Sequence, residues 1–212
     1  NPKSVQIAFA TADFLETAER YEEANAIYEN IPKNSLHYYS ALVRSAENLR
    51  ALDQSEAAIK RLRNIVALRP DDVTAITALG DTLRFEKRFK EAGEVYSKVL
   101  QITGGERLVD WHILYVRGIC YEREKQWDLA EADFKKALQL YPDQPQVLNY
   151  LGYSWVDQGI NLDEALDMIE AAVSLRPNDG YMVDSLGWAF YRLNRFEEAV
   201  VQLERAVELR PG

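Results

Sequence analysis

Apolar residues recur along the chain with a helical spacing. Ala24, Tyr28 and Ile31 stand at offsets of zero, four and seven. The same offsets give Ala58, Leu62, Ile65; Ala92, Tyr96, Val99; Ala130, Phe134, Ala137; Ala165, Ile169, Ala172; and Ala199, Leu203, Ala206. Residues four and seven apart share one face of an α-helix, so each triplet predicts an amphipathic helix. A small residue precedes each triplet by twelve positions (Ala12, Ala46, Gly80, Gly118 and Gly187) or by thirteen (Gly152). A large residue stands three after the small one at Leu83, Tyr121, Trp155 and Phe190, marking a second helix in every unit. Acidic residues open the later helix of each pair, at Glu22-Glu23, Glu56, Glu91, Asp128, Asp163-Glu164 and Glu197-Glu198, where the helix dipole favours them. Pro70, Pro142, Pro177 and Pro211 close four of the units, because proline cannot continue a helix.

The start-to-start steps of the small residues are 34, 34, 38, 34 and 35. A step of about 34 residues is the period of a helix-turn-helix repeat. The positions quoted above, together with Leu79-Gly80, Leu151-Gly152 and Leu186-Gly187, closely resemble the tetratricopeptide repeat (TPR) family over essentially the whole chain. The resemblance implies an all-α, right-handed superhelical solenoid of about six repeats, at 5–38, 39–72, 73–110, 111–144, 145–179 and 180–212. The expected domain organisation is one TPR array over residues 1–212. The first repeat departs from the pattern, with Thr11-Ala12 for Leu-Gly and no closing proline. The third carries a four-residue excess around Ile102-Thr103-Gly104-Gly105, a candidate bend.

Composition narrows the function classes. The chain is 47% hydrophobic and 28% charged, as soluble globular proteins are. Its formal net charge of −9 argues against a nucleic-acid partner, whose phosphates demand Lys and Arg. No apolar run approaches a membrane span. The start, Asn1-Pro2-Lys3-Ser4, carries no targeting segment and reads as excised from a longer chain.

Catalytic chemistry is not expected. The adjacent acids lie at helix starts, where solvated residues belong. His37 and His112 have no partner at a metal-ligand spacing, so no metal and no cofactor is implied. Cys120 follows Gly118 by two on the first helix of its unit and reads as a buried, inert thiol. Gly104-Gly105 lacks the following Lys-Ser/Thr and the preceding strand of a phosphate loop.

The resemblance implies that the second, fifth, ninth and twelfth or thirteenth positions of each repeat line a concave face. In the first three repeats these are Gln6, Phe9, Asp13, Glu16, Arg44, Glu47, Arg50, Thr77, Asp81 and Arg84, a charged and mixed set. In the last three they include Glu122 and Gln146 and, as the expected partner-binding groove, His112, Tyr115, Asn149, Tyr153, Tyr181, Asp184, Trp188 and Tyr191. Aromatic rings with polar tips suit interfaces, and Asn offers both a donor and an acceptor to a peptide backbone. Tyr121, Trp155 and Phe190 read as packing residues; Tyr153 and Trp188 read as groove residues. Some TPR domains clamp a C-terminal carboxylate with Lys, Asn and Arg. Here Phe9 and Asp13 stand where the Lys and Asn would fall, against that role.

The expected function is a protein–protein scaffold or adaptor holding a protein or peptide partner in the groove. The alternative is an accessory TPR segment of an enzyme whose catalytic domain lies elsewhere. The runs Val147–Tyr153, Asp163–Leu166 and Asp184–Leu193 further resemble the C-terminal repeats of large bacterial TPR lipoproteins. Some of those are periplasmic adaptors, tethered to the outer membrane, that bring cell-wall hydrolases to a protease. That resemblance favours the bacterial periplasm, with the cytoplasm as the alternative. Val200, Leu203 and Val207 form an apolar stripe on the last helix, expected to be covered by further chain, a partner or a second copy.

Overall fold

The structure, a computed structural model, describes residues 2–210, and side chains from Ser4 onward. It is an all-α solenoid of tandem helix-turn-helix pairs, as expected. The helices are α1 (Pro2–Thr17), α2 (Tyr21–Glu29), α3 (Tyr38–Ala51), α4 (Ser55–Leu68), α5 (Val73–Phe85), α6 (Phe89–Thr103), α7 (Trp111–Arg123), α8 (Trp127–Leu140), α9 (Pro145–Gln158), α10 (Leu162–Leu175), α11 (Gly180–Arg192) and α12 (Phe196–Leu209). Odd-numbered helices are the first of each pair. One short 3-10 turn, Leu108–Asp110, precedes α7. Pro211, expected to close the last helix, lies outside the described residues.

The chain divides into two compact units. One comprises residues 1–105 with 119–126, and the other 106–118 with 127–212. Gly104 and Gly105, both at positive φ, end α6 at the change from the first unit to the second.

Every first helix ends in the same turn. Its residue in the left-handed region is Glu19, Asp53, Lys87, Lys125, Gly159 or Asn194. The next amide closes a ring onto the carbonyl five residues back: Arg20 to Leu15, Gln54 to Leu49, Arg88 to Leu83, Gln126 to Tyr121, Ile160 to Trp155, Arg195 to Phe190. These bonds satisfy carbonyls that the helix end would otherwise orphan. The one-residue excess of the fifth pair sits here, where Asn161 adds a second left-handed residue after Gly159. Asp72 and Asp179 cap α5 and α11 by accepting from the amides of Ala75 and of Tyr181 and Met182.

The core is the row of triplets read from the sequence. Ala24, Tyr28, Ala58, Leu62, Ala92, Tyr96, Ala130, Phe134, Ala165, Ile169 and Ala172 are all fully buried. Each large member contributes about 1.5–3 kcal/mol by leaving water. Trp155 and Phe190 are buried, as the packing assignment requires, and Tyr121 is half-buried.

The small residue of each pair is not matched mainly by the alanine twelve residues on, as the spacing suggests. A methyl at Gly80 would lie 2.6 Å from the Tyr96 ring, and one at Gly118 would lie 2.6 Å from the Phe134 ring. At Gly187 it would meet Leu203 at 2.7 Å, and at Gly152 both Ile169 and the Ala165 carbonyl at 2.8 Å. The glycine therefore makes room for the large residue four after the alanine. That residue lies across the pair, so a side chain at the glycine position would displace it.

Candidate functional site

The two units use the outer face of their first helices differently. In the first unit several charges are tied to one another, while Glu16 Oε1 and Arg50 Nε are buried without a hydrogen-bond partner. Arg44 on α3 donates to Asp13 of α1 at 2.9 Å and also to Glu16. Tyr28, buried on α2, donates its hydroxyl to Asp13 at 3.2 Å. The arrangement recurs two repeats on, where the Tyr96 hydroxyl donates to Asp81 at 2.7 Å and Arg84 donates to that hydroxyl at 3.4 Å. Burial pushes the Tyr28 hydroxyl up to about 12, with Arg44 opposing, and pushes Tyr96 further in the same direction with help from Asp81. Both phenols therefore stay protonated donors at neutral pH. Glu47 is raised from the usual carboxylate range by desolvation, eased by Arg44 and reinforced by Glu16 and Asp81.

The second unit presents rings on α7, α9 and α11. Of the eight residues expected to form a groove, Tyr153, Tyr181, Tyr191 and His112 are exposed. Tyr115, Asn149, Asp184 and Trp188 are half-buried. Trp188 and Tyr191 stack, with centroids 5.4 Å apart and planes 19° from parallel, and Arg192 lies 5.8 Å over the indole. Tyr181 carries the Arg210 guanidinium 4.0 Å above its ring. α9, which carries Asn149 and Tyr153, packs directly on α11, which carries Asp184 and Trp188.

Two polar atoms on this face have neither solvent nor a hydrogen-bond partner: Asn149 Oδ1 and Trp188 Nε1. One is an acceptor and the other a donor, and each costs about 1–3 kcal/mol while unsatisfied.

Tyr115 belongs to a different arrangement. Its ring meets Tyr150 edge-on at 5.9 Å and lies 6.2 Å from Phe134 and 6.5 Å from Trp111. Trp111 also meets Tyr141 at 6.0 Å. This cluster joins successive helix pairs. Sequence reading passed over Trp111, Tyr150 and Arg192, since none occupies one of the positions the repeat assigns to the face. The adjacency of Trp111 to His112 and of Tyr150 to Asn149 was the available signal.

Buried charge in this unit is structural. Arg117 holds Asp133 by two bonds of 2.7 Å, and Asp133 is only 6% exposed. Burial raises the Asp133 carboxyl and Arg117 pulls it part of the way back.

The hollow beside Cys120 holds no reactive set among the described residues. It measures about 340 Å³ and is rimmed by Lys90, Glu94 and Glu124. Burial pushes that thiol up to about 11, so it is protonated and unreactive. Among the described residues no group of three or more His, Cys, Asp or Glu is placed to hold a metal. Among them, too, no helix is long and apolar enough to cross a membrane.

Comparison with known proteins agrees with the repeat reading. The family pattern described as "Tetratricopeptide repeat" matches residues 112–144 in one form and residues 43–107 and 146–212 in another. TPR repeat-containing protein PA4667 of Pseudomonas aeruginosa is 31% identical over 102 residues, 48% of this chain. The match spans 17% of that relative's own length. Among solved structures, a tetratricopeptide repeat protein from Parabacteroides merdae superposes with a TM-score of 0.78 at 16% identity, covering 97% of this chain and 80% of its own. MamA from Desulfovibrio magneticus gives 0.69 at 20% identity over 80% of this chain and 94% of its own. YrrB, described as a TPR protein with an unusual peptide-binding site, gives 0.62 at 22% identity over 81% and 86%. The 34-residue period, the helix pairs and these matches converge: the chain belongs to the tetratricopeptide repeat family.

Proposed function

We propose that this chain is a protein-binding scaffold that holds an extended segment of a partner against the aromatic face of α9 and α11. A general role in protein–protein contacts goes with the repeat family; the use of this face is the finer reading. The observation that carries it is the pairing of exposed rings, Tyr153, Tyr181 and Tyr191, with the unsatisfied Asn149 Oδ1 and Trp188 Nε1. Rings supply contact area at small entropic cost, and the two buried atoms gain bonds only when a ligand arrives. A peptide-binding site in YrrB, which shares the fold, lends further support.

The narrower role is that of a bacterial periplasmic adaptor for a protease or cell-wall enzymes, tethered at the outer membrane. It is supported by the motifs around Asn149 and Asp184-Ser185-Leu186-Gly187-Trp188. Partial identity to a Pseudomonas protein supports the bacterial setting.

The test is capture of the binding protein by this chain, followed by titration of the purified partner with native chain and with an Asn149→Ala, Trp188→Ala double variant. Hot-spot truncations typically cost 2 kcal/mol or more, so affinity is expected to fall at least about 30-fold while the helical melt is retained. Undiminished affinity in a folded double variant sinks this use of the face.

A further inference from the structure

The position after the repeat alanine carries Asn25 on α2, Ile59 on α4, Glu131 on α8 and Leu166 on α10. Asn25, Ile59 and Leu166 are buried, and Glu131 accepts from the Trp155 indole of the next pair at 3.1 Å. On α6 the same position is Gly93, and a hollow of about 340 Å³ stands beside it.

Neither conformation nor crowding calls for a glycine at 93. Its backbone is helical and lies outside the left-handed region, where glycine has its advantage. Methyl groups at Gly80, Gly118, Gly152 and Gly187 would meet neighbours at 2.8 Å or less. One at Gly93 would find the Cys120 Cβ at 3.8 Å and the Tyr121 ring at 4.0 Å, both at ordinary contact distance. Glycine inside a helix is also a poor helix former. What the residue does provide is the hollow.

The walls select an occupant. Phe89 and Tyr121, both half-buried, border the space with their rings. Glu94 and Glu124, both exposed, stand at the rim with a single ammonium, that of Lys90. Burial pushes the Cys120 thiol up to about 11 and keeps it neutral. Two carboxylates against one ammonium leave the hollow negative. A planar guanidinium suits such a place better than a compact ammonium, because it stacks on rings, forks to carboxylates and sheds water more readily. All these residues belong to the first unit, so the hollow shares none with the face of α9 and α11.

We infer that the hollow between α6 and the end of α7 takes the side chain of an arginine presented by a partner protein. Its methylenes fill the space left by Gly93, and its guanidinium lies against the rings and meets Glu94 and Glu124. The inference goes beyond the aromatic face and does not depend on it.

The test is a titration of the isotope-labelled full chain with the blocked peptide acetyl-Gly-Arg-Gly-amide, followed by amide chemical shifts. The Gly93 and Cys120 amides should shift and saturate in the millimolar range. Acetyl-Gly-Leu-Gly-amide should leave them unmoved. Glu94→Gln combined with Glu124→Gln should weaken binding about tenfold and reduce its salt dependence. Gly93→Ile, which supplies the side chain that Ile59 supplies on α4, should abolish binding while the helical melt is retained. Gly93→Val repeats that arm should isoleucine cost helicity. The Asn149→Ala, Trp188→Ala variant should bind the arginine peptide as the native chain does. Unmoved Gly93 and Cys120 amides overturn the inference. So do a leucine peptide that shifts them equally, a filled variant that still binds the arginine peptide, and a loss of binding in the Asn149, Trp188 variant.

Discussion

In the first unit Arg44 leaves α3 to bind Asp13 and Glu16 on α1, and the Tyr96 hydroxyl is given to Asp81. In the second unit the corresponding face carries Tyr153, Tyr181 and Tyr191 in the open and leaves Asn149 Oδ1 and Trp188 Nε1 without partners. The packing beneath is the same: Tyr96 lies over Gly80 as Phe134 lies over Gly118. One scaffold thus serves two surfaces. Where the face is charged, Arg44, Asp13 and the Tyr96 hydroxyl are committed to their neighbours, although Glu16 Oε1 and Arg50 Nε there are also buried without a partner. Where it is aromatic, rings stand exposed near the unpartnered Asn149 Oδ1 and Trp188 Nε1.

That contrast can be broken most severely through the buried pair of the second unit. Arg117→Leu strands the Asp133 carboxylate and should cost about 3–5 kcal/mol, measured by urea unfolding. Burial already raises Asp133, with Arg117 opposing, so losing Arg117 raises it further. A carboxyl with a folded pKa above its unfolded value supports the fold fully only below the unfolded value. That support fades as pH rises through the folded pKa. The variant's deficit should therefore be larger at neutrality than in mild acid, and a deficit that shrinks toward neutrality would contradict the assignment.

An intermediate effect tests the claim of common packing. Gly80→Ala and Gly118→Ala each drive a methyl to 2.6 Å from a buried ring, so both should lose about 1–3 kcal/mol by thermal or urea melts. A large loss in one unit with none in the other would show that the two are not packed alike.

The smallest effect is expected where charge is most abundant. The Arg44 side chain is 44% exposed, so Arg44→Ala should cost at most about 1 kcal/mol, shrinking with added salt. It should leave partner affinity unchanged if the aromatic face is the binding surface. A loss of affinity matching that of the Asn149, Trp188 double variant would move the site to the first unit.

Much of the fold was legible because a repeat writes one packing rule many times. The triplet Ala92, Tyr96, Val99 means little alone, but six copies at a near-constant step exclude accident. Acidic helix starts and the stops at Pro70, Pro142 and Pro177 were read correctly for the same reason: each acts within one turn of chain. The four-residue excess near Gly104 was visible as a count. The partner of each glycine was not, because a count of twelve residues says nothing of which side chain leans across the pair. Tyr115 and Tyr153 look alike as letters. One is drawn into a ring cluster by Trp111 on its own helix and Tyr150 on α9, and the other stands exposed.

The sequence by itself determined the helix pairs, their order and their buried stripes, since these depend on local periodicity and on residues a few positions apart. Only the tertiary structure decided which polar atoms are satisfied and which side chain leans over each glycine. Those properties belong to distances between helices that the period brings together but does not specify. Asp13 and Arg44 are 31 residues apart and share a hydrogen bond, while Asn149 and Trp188, on packed helices, keep an acceptor and a donor unfilled.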